Sequence, residues 1–175
     1  MEYKRIEISG KINPNYLFKI SKGNNLHGYI ILQSNIAILE GKRGDIDNTL
    51  NLYKARYSEG YTLKETSYIG DITDLIKVKD YKDIKIQAYI SITGHLENQS
   101  YENLIKRFAD EYLIKGWVKR DQESGNINLK IEGQKYLVEK LIDWLKGGTA
   151  KINVFDIKID YQKYTGEFKE FYISY

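Results

Sequence analysis

Ile84-Lys85-Ile86-Gln87-Ala88-Tyr89-Ile90-Ser91-Ile92-Thr93 alternates apolar and polar side chains without a break. A period of two puts Ile84, Ile86, Ala88, Ile90 and Ile92 on one face of a strand, facing a core. Gln87, Tyr89, Ser91 and Thr93 fall on the other face, which must stay wet or be covered. After a turn at Gly94 the period changes. Leu104, Ile105, Phe108 and Tyr112 recur at helical spacing within Ser100–Leu113. Trp117-Val118 and Ile127-Leu129-Ile131 return to strand spacing around a turn at Asp121–Gly125. Leu137, Val138, Leu141, Ile142 and Leu145 mark a second helix over Tyr136–Lys146, closed by Gly147-Gly148. Ile152–Ile159 and Glu167–Ser174 finish as strands. The order is βαββαβ with one further strand.

Working outward, the N-terminal half reads the same way. Lys4–Ser9 alternates, with Ile6 and Ile8 on one face. Asn13-Pro14 is a helix cap followed by proline at the first helical position, and Gly23-Asn24-Asn25 stops that helix. Gly28–Leu32 and Asn35–Glu40 are strands joined by Gln33-Ser34. Asp45 is the expected cap of a second helix, with Ile46, Leu50, Tyr53 and Tyr57 on its stripe and Gly60 at its end. Tyr61–Ile69 and Leu75–Val78 complete the set. Short signals recur between the halves. Ile8-Ser9-Gly10-Lys11-Ile12 echoes Ile92-Thr93-Gly94-His95-Leu96 at a separation of 84 residues. Gly28-Tyr29-Ile30 echoes Gly116-Trp117-Val118 at 88, and Glu40-Gly41 echoes Glu132-Gly133 at 92. The fixed order and growing separation predict a duplication whose first copy is shorter around its first helix and in its hairpin. Two domains, 1–80 and 81–175, are expected to meet around Gly70–Lys82.

Composition excludes several classes of chemistry. There is no cysteine among the 175 residues, so disulfides, thiolate metal sites and cysteine nucleophiles are out. The net charge of +3 is spread among interleaved acids and bases, not gathered into the stripe that nucleic-acid binding requires. Met1–Ser9 has no apolar run of signal-peptide type and no stretch approaches membrane-spanning length, so the cytoplasm is the expected location. No cofactor is expected. His27 and His95 stand apart from any carboxylate cluster, so no metal site is expected.

Residues 84–175 resemble acylphosphatase, and residues 3–80 resemble a degenerate second copy. Gly94-His95-Leu96-Glu97-Asn98-Gln99-Ser100-Tyr101-Glu102 stands where that family has Gly-x-Val-Gln-Gly-Val-x-Phe-Arg. Gly116-Trp117-Val118-Lys119-Arg120 stands where it has Gly-Trp-Val-x-Asn. Gly125, Gly133 and the helix ending at Trp144–Gly148 follow in register. The resemblance implies tandem ferredoxin-like α/β sandwiches of the α+β class, with antiparallel sheets and two helices on one face.

The resemblance also implies a chemistry: hydrolysis of an acyl phosphate. Backbone N–H groups of the first turn cradle the phosphate, an arginine grips it, and an asparagine orients water. Carried across, the arginine position is Glu102, which repels a phosphate, and the asparagine position is Arg120, which is no neutral amide. Asn98, Gln99, Ser100 and Arg120 remain candidates for holding an anion, with Arg120 replacing the missing loop arginine. In the first half the same count gives Phe18 and Leu32, and Pro14 has no N–H to offer.

Three readings follow. The first is a non-catalytic module that binds a protein, binds a second copy of itself, or serves as a structural element. The second is an acylphosphatase working with altered residues. The third is RNA binding on the open sheet face, for which Tyr89 is the sole aromatic on the strands considered. Arg43-Gly44-Asp45 is read as a turn before a helix, and the sixteen tyrosines as strand and core residues.

Overall fold

The computed structural model describes residues 2–96, 101–147 and 152–175. The chain divides into two compact units, Met1–Ile84 and Lys85–Tyr175. The first contains β1 (Tyr3–Gly10), α1 (Pro14–Gly23), β2 (His27–Ile31), β3 (Ile36–Lys42), α2 (Arg43–Arg56), β4 (Tyr61–Thr66) and β5 (Leu75–Val78). The second contains β6 (Lys85–His95), α3 (Tyr101–Glu111), β7 (Lys115–Arg120), β8 (Ile127–Gln134), α4 (Lys135–Gly147), β9 (Asn153–Gln162) and β10 (Phe171–Ser174).

The two sheets have one topology. Their strand orders are β4-β1-β3-β2-β5 and, written in the same sense, β9-β6-β8-β7-β10. Each is a ferredoxin-type α+β arrangement. Four strands pair antiparallel, as expected. The fifth is different: β5 lies parallel on β2 and β10 parallel on β7, so both sheets are mixed rather than antiparallel throughout. The cause is a crossing. The chain leaves β4 at one edge, passes the sheet, and returns along the opposite edge. β5 then runs against β4 and therefore with β2; β9 and β10 repeat the manoeuvre.

The alternation read from sequence sets the core. Ile6, Ile8, Ala37 and Leu39 of one sheet face pack against Leu17 of α1 and Ile46, Leu50 and Tyr53 of α2. In the second unit Ile90, Ile92, Leu129 and Ile131 are buried with Ile105, Val138, Leu141 and Ile142. Fully burying such a side chain is worth about 1.5–3 kcal/mol, so these stripes decide the fold. Asn13 caps α1 as expected, its Oδ1 accepting from Tyr16 N at 3.0 Å, with Pro14 first in the helix. Asp45 does not cap α2. That helix starts at Arg43 behind Lys42, with no side-chain cap bond, and Asp45 sits in its first turn. Tyr57, not Gly60, ends it.

The recurring glycines mark close approaches. A Cβ on Gly28 would overlap the Ile38 carbonyl, and one on Gly116 would overlap the Lys130 carbonyl, each on the neighbouring strand. Gly116 also has φ +139, a conformation that L side chains rarely adopt. Gly125 has φ +72 but open space around it. Gly116→Ala is expected to destabilise the protein by about 2–4 kcal/mol, against about 1 kcal/mol for Gly125→Ala. Urea unfolding of both variants checks this contrast.

Candidate functional site

The site grows from the β7–β8 turn. Asp121 Oδ1 accepts from Glu123 N at 3.0 Å, from Ser124 N at 2.8 Å and from Ser124 Oγ at 2.9 Å. Those bonds to Ser124 hold the Asp121 carboxyl below its ordinary range. The turn they close turns the Gly125 carbonyl inward, where it accepts from Arg120 Nη1 at 3.3 Å. Arg120, the last residue of β7, is aimed at the first turn of α3.

There it meets Glu102. Arg120 Nε donates to Glu102 Oε1 at 2.6 Å and Nη2 to Oε2 at 2.9 Å. The pair is bidentate and largely dry: the side chains keep 10% (Glu102) and 20% (Arg120) of their exposure. Fork-to-fork pairing of this kind is the strongest form of arginine–carboxylate contact. Glu102 also lies in the first helical turn, where the helix dipole favours a negative charge. The helix thus carries an anion of its own where an incoming anion would be drawn. The two positions that count as arginine and asparagine are joined to each other. A cleft of about 420 Å³ borders them, lined also by Asn103, Gln122 and the C-terminal Ile173–Tyr175. Asn98, Gln99 and Ser100 lie outside the described residues. Beside Glu102, burial pushes the Tyr101 phenol up to about 12, so it stays a hydroxyl and is no substitute nucleophile.

The first unit closes its equivalent turn with its own groups. Lys11 N donates to Gly60 O at 2.6 Å and Ile12 N to Gly10 O at 2.8 Å. Asn13 N donates to the Tyr53 hydroxyl at 2.7 Å and Asn13 Nδ2 to the Tyr57 hydroxyl at 2.9 Å. The helices also correct the residue count. Leu26 N bonds Ser21 O just as Ile114 N bonds Ala109 O, and the left-handed Asn25 matches Leu113. The separation is already 88 within the helix, so the extra residues of the second unit lie before α3, not inside it. Pro14 therefore stands opposite Glu102, and Phe18 stands opposite Lys106. Leu32 remains opposite Arg120 and is 45% exposed.

The open sheet faces are crossed by the β4–β5 and β9–β10 connections. In the second unit Glu132, fully buried on β8, accepts from Gly166 N and Phe168 N, each at 3.0 Å. Gln87 Nε2 bonds Thr165 Oγ1 at 2.9 Å and Glu167 Oε1 at 2.8 Å. Lys130 pairs with Glu167 at 2.7 Å. In the first unit Arg5 Nη1 donates to Glu40 Oε1 at 3.1 Å and Asp71 Oδ1 at 2.8 Å. These buried carboxylates were not among the residues expected to matter. A signal for them exists: Tyr68-Ile69-Gly70-Asp71-Ile72 echoes Tyr164-Thr165-Gly166-Glu167-Phe168 at a separation of 96. Trp117 was also missed as a face aromatic; it meets Tyr89 edge-on, centroids 6.1 Å apart.

The histidines behave as surface residues of their elements. His27 Nδ1 lies 3.2 Å from Ile72 O, and His95 packs edge-on against Phe155. Among the described residues no group of His, Asp and Glu could hold a metal, and no helix is long and apolar enough to cross a membrane.

A family-wide profile described as Acylphosphatase matches residues 88–173. The acylphosphatase of Pyrobaculum calidifontis is 30% identical over 88 residues, covering 50% of this chain and 80% of that protein. The chain belongs to the acylphosphatase family. The acylphosphatase of Pyrobaculum islandicum is 28% identical over 88 residues, 50% of this chain and 93% of that protein. Among solved structures, acylphosphatase from Bacillus subtilis aligns with a TM-score of 0.48 and 22% identity, over 51% of this chain and 99% of that one. Glu102 and Arg120 both fall inside the matched acylphosphatase segment.

Removing either partner of the pair strands a mostly buried charge. Glu102→Ala and Arg120→Ala are each expected to cost about 2–3 kcal/mol, below the fully buried limit because Arg120 keeps some water. The Glu102→Ala/Arg120→Ala double variant is expected to cost clearly less than the sum. A double-mutant cycle in urea measures the coupling, and additivity would refute the pairing.

Proposed function

We propose that this chain is a non-catalytic acylphosphatase-like protein, a protein-binding or structural module whose first unit is a degenerate second copy of the second. The observation that carries the reading is the Glu102–Arg120 pair. A phosphate arriving at Arg120 must displace a carboxylate that is bidentate, largely buried and tethered to the same chain. It would gain only what it exchanges, and it would face the expelled negative charge a few ångströms away. No neutral amide stands at the Arg120 position to orient water. The first unit supports the same reading, since tyrosine hydroxyls and carbonyls already satisfy the N–H groups of its turn. Binding on the open faces in the manner of single-stranded RNA has less support: the connections lie on those faces, and Lys130 is engaged by Glu167.

Membership of the family favours a second reading, an acylphosphatase in which Arg120 anchors the phosphate. Acetyl phosphate hydrolysis decides between them. The expected result is turnover at the uncatalysed rate, unchanged by Arg120→Ala. Turnover above background that Arg120→Ala abolishes would establish the second reading. Glu102→Ala frees the guanidinium, so millimolar inorganic phosphate is expected to raise the melting temperature of that variant and not of the parent. Native mass measurement from the source cell tests the binding role, and a chain recovered alone and monomeric across conditions would count against it.

A further inference from the structure

The two connections that cross the sheets are built alike and charged differently. In the second unit the central carboxylate of Glu132 receives two backbone N–H donors, and the neighbouring Glu167 reaches solvent to meet Lys130. In the first unit the corresponding carboxylates, Glu40 and Asp71, are both buried, at 2% and 3% exposure. One guanidinium group, Arg5, serves both through a single nitrogen. Glu40 Oε2 is buried without a hydrogen-bond partner. The two buried carboxylates share one arginine nitrogen and repel each other, and a proton on the unpartnered oxygen relieves that repulsion.

We propose that Arg5, Glu40 and Asp71 form a proton-operated latch on the 67–74 connection of the first unit, shut while Glu40 carries a proton and released when it ionises. The groups around Glu40 fit that assignment. On its own strand Lys42 is exposed. On β1, Tyr3 is exposed, Arg5 is shared, and Glu7 adds a negative charge at the next position of the face. On β2, His27 is exposed, with its Nδ1 against Ile72 O. From the connection, Tyr68 stacks on Tyr3 with centroids 5.1 Å apart, and its phenol is pushed up, first by burial and then by Glu40. Arg5 is the cation that both carboxylates share. Burial, then the charge of Asp71, raise the Glu40 carboxyl above its usual range, and Arg5 and the Ile69 N–H offset this only in part.

The sign follows from linkage. The closed connection binds the proton more tightly than the open one. Closure is fully favoured below the ordinary carboxylate range and weakens as pH rises through the elevated value. Ser67 and Ile69 of the connection already wall a cleft of about 230 Å³ with Arg5, Glu7 and Ile38, and release removes that wall and opens the cleft towards Glu40.

Amide hydrogen exchange on the full chain, corrected for intrinsic rates, tests the latch from about pH 4 to 8, spanning the ordinary glutamate range and the region above it. Opening at residues 69–72 is expected to increase with pH above the ordinary carboxylate range, by up to about tenfold for each pH unit between the open and closed carboxyl values, and then to level off. Residues 163–170 should show no such rise. Glu40→Gln and, separately, Asp71→Asn should each flatten the profile. Carboxyl carbon NMR of the parent protein needs no substitution, and the Glu40 midpoint should coincide with opening. A flat parent profile, a slope that survives either substitution, or a Glu40 midpoint in the ordinary range would overturn the proposal.

Discussion

A carboxylate set in the middle of a sheet face must find donors or lose its charge, and this fold depends on how that demand is met. Both units place a glutamate, Glu40 or Glu132, at the same point of the third strand, on the face away from the helices. Both then lead the chain across that face on its way from one edge strand to the other. The crossing supplies the donors, and the glutamate fixes where the crossing lies. Buried without such donors, the carboxylate would be costly, so glutamate and crossing stabilise each other. The second unit meets the demand chiefly with the backbone N–H groups of Gly166 and Phe168, whereas the first relies on a shared arginine.

A different balance holds between α3 and β7. Glu102 alone would be a largely buried carboxylate, and Arg120 alone a largely buried cation. Together the two form a closed, neutral fork, held by the Asp121 turn on one side and the first turn of α3 on the other. The pair is compensated as a unit, so neither residue can be understood without the other.

Much of this was legible in the chain itself. The unbroken alternation of Ile84–Thr93 and the helical stripes gave the βαββαβ order, because burial of those faces outweighs local preference. The echoed glycines were readable because a neighbouring carbonyl leaves no room for a side chain at Gly28 and Gly116. The direction of the fifth strand was not legible, since it depends on a crossing with no periodicity of its own. Nor was the bond between Glu102 and Arg120, two residues each judged against a pattern rather than against each other. Placing Phe18 opposite Glu102 failed because a count cannot say on which side of a helix start an insertion lies; the hydrogen bonds of Ser21 and Ala109 can.

The fork between Glu102 and Arg120 also changes how this fold relates to its surroundings. A protein that waits for a phosphate borrows part of its stability from whatever concentration the cell supplies. Here the counter-anion is part of the polypeptide, so the guanidinium is neutralised without drawing on any dissolved ion. The link between α3 and β7 is thus carried by the chain's own charges and travels with it wherever it folds.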